Sequence, residues 1–389
     1  MTTTSNSTAS DSASASFSQF VGYFLWLGTV GFGGPIALAG HMQQDLVEKR
    51  RWIRKEDYVE GLALVQLAPG PLAAQLAIYL GYVRAGILGA TAVGLAFVLP
   101  SFLLVLALSA ADVRFGGPSW MQGMFYGIGA AVIGIIARSS VKLTKLTLGQ
   151  DKILWAMFLV LAVSTAWTSR EIIWLFLLAG VANLLIRALP LRETVKGTAA
   201  LFAGPGLFGA IFANDKLPQI FWYFAKAGMF VFGSGLAVVP FLYGGVVQGN
   251  HWLTDHQFVD AVAVAMITPG PVVITVAFIG YLVAGVAGAT AAALGIFLPV
   301  YIVVILLAPS YKRWASNIQL KFFVRGVTAA ATGAIAGAVV VLARRSVYDL
   351  PTLLICVVSV AVLWRWKIPE PLLIACAAVA GLLLRARLA

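Results

Sequence analysis

The sequence predicts an all-α polytopic membrane protein made of two inverted-topology repeats. Each repeat is expected to hold about five transmembrane helices plus a re-entrant hairpin tipped by Pro-Gly-Pro. Three observations predict this: the composition, an internal duplication at constant offset, and the distribution of charge over the loops. The chain of 389 residues is 60% hydrophobic and 11% charged, with a mean hydropathy of +0.92. A soluble protein carries about 25% charged residues. The apolar residues fall in blocks of roughly twenty, the length a helix needs to cross hydrocarbon. They lack the alternation of a membrane barrel.

The elements follow in order. Residues 1–16, MTTTSNSTASDSASAS, are polar and of low complexity and read as a disordered tail. The first repeat is expected over 17–197, with apolar blocks at about 17–39, 57–83, 86–109, 119–138, 153–169 and 171–188. The block 17–39 reads as a retained, crossing helix: the tail before it has no Lys or Arg, as a signal peptide would require. A linker is expected over 198–216 and the inverted second repeat over 217–389.

The duplication is read directly. GFGGPIA (31–37) faces VFGSGLA (231–237), Trp52 faces Trp252, Glu60 faces Asp260, and Pro69-Gly70-Pro71 faces Pro269-Gly270-Pro271. One residue is then lost, and GYVRAGILGAT (81–91) faces GYLVAGVAGAT (280–290). Repeats of this kind mark transporters, with the binding site at the repeat interface. Residues 41–56 contain Lys49, Arg50, Arg51, Arg54 and Lys55, whereas 241–256 contain no Lys or Arg. The positive-inside rule then places the two loops on opposite sides. Inversion needs an odd number of crossings per repeat, so the Pro-Gly-Pro block is expected to turn back at mid-depth, with the N-terminus outside.

The breaks point to an ion. Non-helical backbone at membrane depth is tolerated where it lines a cavity or is buried in protein. Pro71 suits the first position of an outgoing half-helix, and Gly70 permits close approach. The N–H groups after Pro71, from Leu72 onward, and after Pro271, from Val272 onward, would form anion-binding helix starts. Gln66 and Gln75 flank the first tip, and Thr268 and Thr275 the second; each could bind an oxyanion or satisfy a neighbouring helix. Gly33, Gly34 and Pro35, with Gly233, Ser234 and Gly235, either allow close helix packing or line the same cavity. Lys226 is the one clear charge deep in an apolar block, either attracting the anion or snorkelling to the surface. Glu60 and Asp260 are candidates for coupling, against a plain solvated helix start.

Other classes are disfavoured. The net charge of +12 sits in short loops, where it orients the chain in the bilayer rather than binding nucleic acid. His41, His251 and His256 have no zinc spacing, and Cys356 and Cys376 carry no metal signature. No cofactor and no catalytic residues are expected: the tips lack His, Cys, Asp and Glu, and no phosphate-binding loop occurs.

These residues resemble the chromate transporter (chromate ion transporter) family. The pattern is carried by VGFGGPIALAGHM, LVEKRRWI and LALVQLAPGPLAAQLAIYLGYVRAGILGATAVGLAFVLPSF in the first half. The second half carries FAKAGMFVFGSGLAVVP and HWLTDHQFVDAVAVAMITPGPVVITVAFIGYLVAGVAGATAAALGIFLPVY. The resemblance implies a multi-pass protein of the bacterial inner membrane that exports chromate from the cytoplasm and confers resistance, with sulfate as the isostructural competitor. It carries motif roles onto Phe32, Gly33, Gly34, Pro35, Trp52, Pro69, Gly70, Pro71, Lys226, Phe232, Gly233, Gly235, Trp252, Pro269, Gly270 and Pro271. Ser234 departs from the glycine often found there. The alternatives are a transporter of sulfate or another small anion, and an anion channel. A homodimer in the bilayer is left open.

Overall fold

Helix starts are written into the sequence. In a computed structural model, α1 (Phe17–Val30) opens on a capping box in which Ser16 and Gln19 satisfy each other's backbone N–H groups. The structure describes residues 15–32, 34–115, 119–168, 173–188, 216–230, 238–310, 317–347, 349–366, 368 and 370–388. The polar tail to residue 14, Gly33, Gly233, Ser234, Gly235 and nearly all of the expected linker lie outside them. Every regular element among the described residues is helical.

α2 (Gly34–Met42) runs into a π-helical turn, Gln43–Lys49. The polar break at 50–54 leads to α3 (Lys55–Leu67). α4 (Leu72–Phe115) is not one rod: Ala85 and Gly86 leave helical geometry, with Gly86 at φ +58. The chain reverses there. A Cβ placed on Gly89 would lie 2.1 Å from Gly81 O, although eight residues of straight helix span about 12 Å. The arms 72–84 and 87–115 thus pack antiparallel at backbone contact, which Gly81 and Gly89 permit. α5 (Ser119–Leu148), α6 (Lys152–Thr168) and α7 (Ile173–Ala188) complete the first repeat.

The second repeat redraws the first. It holds α8 (Lys216–Phe230), α9 (Val238–Tyr243) with the π-helical turn Gly244–Gly249, and α10 (Asp255–Ile267) behind a Thr254–Gln257 capping box. A 3₁₀ turn (Val272–Ile274) leads into α11 (Thr275–Leu307), which reverses at Ala284-Gly285. α12 (Ile318–Ser346), α13 (Leu350–Arg365) and α14 (Glu370–Leu388) follow. Left-handed residues match across the repeat: Arg51 with His251, Gly70 with Gly270, and Gly86 with Gly285. The lost residue is absorbed by winding. Nine residues at the α-helical rise and eight residues of which three are 3₁₀ both advance about 13.5 Å.

One expectation fails. The block 17–39 is not a single crossing helix, because α1 and α2 fold back on each other. Tyr23 Oη approaches His41 O and Asp45 Oδ2 at 3.4 Å each, and the Phe20 and Trp52 rings lie 6.3 Å apart. The cause is tertiary: contacts from Tyr23 and Phe20 close a hairpin that apolar length alone does not reveal. The hairpin returns the chain, so the start of α1 shares one end of the bundle with the basic 49–55 loop. Arg84 there donates to Ala15 O. The N-terminus therefore lies on the side of the basic loop, not opposite it. Among the described residues four further helical runs remain in the first repeat, namely 87–115, α5, α6 and α7. The parity of crossings no longer carries the inversion.

The repeats interleave. α12 packs against α6 and α7, and α5 packs against α13 and α14. Glycines make these contacts backbone-close: a Cβ on Gly127 would lie 1.9 Å from Ala377 O, and one on Gly333 2.2 Å from Phe158 O. Such small-residue seams hold helices together where no hydrophobic gain drives them. Among the described residues four helices are long and apolar enough to cross a membrane. Large apolar side chains such as Leu88, Val163 and Leu383 face outward, and Trp167, Trp174, Trp364 and Trp366 stand exposed near helix ends, as in a membrane-facing surface.

Candidate functional site

The two Pro-Gly-Pro tips lie at the seam between the repeats. α3 ends where Ala68 turns extended after its N–H bonds to Leu64 O. The 72–84 arm starts after Pro71, and Gly61 packs against Leu76 and Tyr79. The segments on either side of the break therefore run antiparallel. Each has 13 residues, about 20 Å, against about 30 Å of hydrocarbon.

Each tip is seated on the other repeat. A Cβ on Gly70 would lie 2.9 Å from the Val300 methyls of α11. A Cβ on Gly270 would lie 1.9 Å from Ser101 Oγ of α4. Ser101 follows Pro100, and Val300 follows Pro299, so the contacts are reciprocal. Gly270 N donates to Gly31 O at 2.8 Å, and Ser101 Oγ donates to Gly28 O at 3.2 Å. The second tip is thus joined to the break after α1. This brings together two of the motifs singled out in the sequence, Pro269-Gly270-Pro271 and the Gly31 cluster.

The polar groups at the tips are unequally committed. Thr268 and Thr275 donate to Val264 O and Val272 O at 2.7 Å, so their hydroxyl protons are spent within their own segments. Gln75 is fully buried, and its Nε2 donates to Pro69 O at 2.6 Å. Its Oε1 is buried with no hydrogen-bond partner among the described residues. The first intrahelical bond after the first tip runs from Gln75 N to Pro71 O, so the N–H groups of Leu72, Ala73 and Ala74 precede it. At the second tip Ile274 N bonds Pro271 O, which leaves those of Val272 and Val273. The tips, from Gly70 to Ala74 and from Gly270 to Ile274, are buried.

Other expected residues stand apart. Gln66 and Lys226 are exposed, while Pro35, Glu60 and Asp260 are half-buried. Glu60 and Asp260 each lie nine residues before their tip proline, about 13 Å along a helix. No group of three or more His, Cys, Asp or Glu gathers to hold a metal among the described residues. Ser101 was not anticipated. Its signal was a lone hydroxyl in the apolar run FVLPSF, directly after a helix proline.

A family model described as "Chromate transporter" matches residues 18–184 and again 218–382. The chain belongs to the chromate transporter family. The two matched segments coincide with the two structural repeats. A chromate transport protein of Cupriavidus metallidurans is 61% identical over 94% of this chain and 92% of its own length. A probable chromate transport protein of Synechococcus elongatus is 54% identical, covering 95% of each chain. A chromate transport protein of Pseudomonas aeruginosa is 32% identical over 90% of this chain and 88% of its own. No solved structure matches. Family membership and the apolar helices together make this a multi-pass membrane protein.

Proposed function

We propose that the protein is a secondary active transporter that exports chromate, a tetrahedral oxyanion dianion, across the bacterial inner membrane by alternating access. One observation carries the proposal most: Gly270 N bonded to Gly31 O, a meeting of broken helices from both repeats, where transporters of duplicated fold bind their solutes. The relatives' names supply the ion. The two Pro-Gly-Pro hairpins are taken as re-entrant, since their arms of about 13 residues are too short to cross.

The repeats are taken as inverted. Support comes from Thr91 Oγ1, 2.7 Å from Tyr301 Oη. Thr91 stands five residues past the turn at Gly86, and Tyr301 sixteen past the equivalent Gly285. Parallel copies would set them about 16 Å apart in depth. With the basic 49–55 loop in the cytoplasm, the hairpins of the first repeat enter from there and those of the second from the opposite side. The substrate-binding set is Gly33, Gly34, Pro35, Gln66, Pro69 to Leu72, Gln75, Lys226, Gly233 to Gly235, Thr268 to Val272 and Thr275. The buried tips fit a closed stage of the cycle, and Glu60 and Asp260 are the coupling candidates.

The test is uptake of radiolabelled chromate into inverted vesicles under an imposed proton gradient, with and without excess sulfate. Accumulation above equilibrium, inhibited by sulfate, is expected. Equilibration without accumulation would make the protein an anion channel. Absence of chromate movement would overturn the assignment.

A further inference from the structure

A groove of about 300 Å³ opens at the basic end of the bundle, lined by Gln19, Gly22, Tyr23, Trp26, Arg50 and Trp52. Arg50 is its chemical centre. The guanidinium lies 4.7 Å from the Trp52 ring centre and 5.3 Å from that of Tyr23. Stacking of this kind fixes a guanidinium by its face and leaves its N–H edge to bind. No carboxylate pairs with Arg50 among the described residues. The nearby acids are committed elsewhere: Asp45 to Lys49 at 3.1 Å and Asp57 to Arg54 at 2.8 Å. Gln19 spends its carbonyl oxygen on the Ser16 cap, which leaves its NH₂ as a second donor.

The second repeat holds the equivalent frame at Gln219, Trp222, Tyr223, Lys226, Asn250 and Trp252. The Tyr223 and Trp252 rings lie 5.4 Å apart. The cation has changed corner: Asn250 replaces Arg50, and Lys226 replaces Trp26. Each copy keeps one cation among these positions, and only Arg50 is stacked on rings among the described contacts.

We propose that the Arg50 groove is a capture site for a tetrahedral oxyanion, one step outside the buried tips. The inference rests on the oxyanion-transport reading above. A planar guanidinium fork matches two oxygens of such an ion, and the neighbouring Arg51 and Lys55 concentrate anions at the mouth, whereas Arg54 is neutralised by Asp57. The phosphate of an anionic phospholipid has the same chemistry, and the test separates the two sources.

Binding of radiolabelled chromate and sulfate is measured on the purified full chain for wild type, Arg50→Gln, Arg50→Lys and Arg54→Gln. The same variants are then assayed for transport in liposomes with and without phosphatidylglycerol. Arg50→Gln is expected to weaken binding about tenfold, the loss of one charged hydrogen-bonding partner. It should raise the half-saturating concentration from the basic face by a similar factor at unchanged maximal rate. Arg50→Lys should fall between, keeping charge without the fork, and Arg54→Gln should match wild type. A difference abolished by phosphatidylglycerol would identify the lipid phosphate as occupant of the same site. Arg50→Gln behaving as wild type in both lipids would overturn the proposal, as would an equal loss in Arg54→Gln, which marks diffuse charge. If wild type transports nothing while Arg50-dependent binding persists, the transport reading fails and the groove stands.

Discussion

Substitution of Gly270 by alanine tests the seating of the second tip. Gly270 sits at φ +95, and an added Cβ would lie 1.9 Å from Ser101 Oγ and 3.2 Å from Gly28 O. Two costs separate. The left-handed backbone penalises any L-residue by about 1–2 kcal/mol, and forcing Ser101 aside adds about 1–3 kcal/mol of overpacking. Removing the Ser101 hydroxyl relieves most of the second cost, with Ser101 Cβ still 3.1 Å from the added atom, and none of the first. Ser101→Ala by itself should cost about 1 kcal/mol, the bond to Gly28 O. The double variant should therefore be more stable than the sum of the two single effects by roughly 1–3 kcal/mol. Denaturant unfolding of the detergent-solubilised protein measures all four corners of the cycle. Additivity within about 0.5 kcal/mol would refute the contact. At the first tip Val300→Ala should relieve only part of the cost of Gly70→Ala, because the added Cβ would also lie 2.7 Å from Gln75 Nε2.

Four other outcomes are expected. Gly89→Ala should split the 72–84 and 87–115 arms and abolish stable protein. Gly86→Ala meets nothing within 4 Å and should lose only about 1–2 kcal/mol for its positive φ, read as a modest fall in melting temperature. In a cysteine-free background, cysteines at Ser18 and Lys49 should react with an impermeant maleimide from the same membrane face; reaction from opposite faces would restore a crossing α1. Cysteines at Thr91 and Tyr301 should be joined by a short bifunctional maleimide, and failure at every spacer length would remove the support for inversion.

What was legible in the sequence was what a local rule encodes. Pro-Gly-Pro ends a helix wherever it stands, and a duplication at constant offset needs no coordinates. The reversal at Gly86 fell between two blocks already separated by sequence. The α1–α2 hairpin was not legible, because an apolar stretch of 23 residues is long enough to span and its glycines fit close packing equally well. Tyr23 meeting His41 and Asp45, 18 and 22 residues on, and Phe20 beside Trp52 decide it. Ser101 was hidden for the same reason: its partners are Gly28 and Gly270, 73 and 169 positions away. The hydroxyls of Thr268 and Thr275 looked available in sequence, but each bonds a carbonyl of its own segment.

The interleaving has a mechanical consequence. Had each Pro-Gly-Pro tip packed within its own repeat, one hairpin could shift while the other stayed. Here Gly270 rests on α4 and on the break after α1, and Gly70 rests on α11. Displacing α4 against its neighbours therefore moves the seat of the second tip along with the arm that carries the first. A packed seam of backbone-close glycines does not deform gradually; it holds one arrangement or exchanges it for another. On the transport reading proposed above, two reciprocal seats on such a seam would favour joint exchange, one hairpin opening as the other closes, the coordination that alternating access would require.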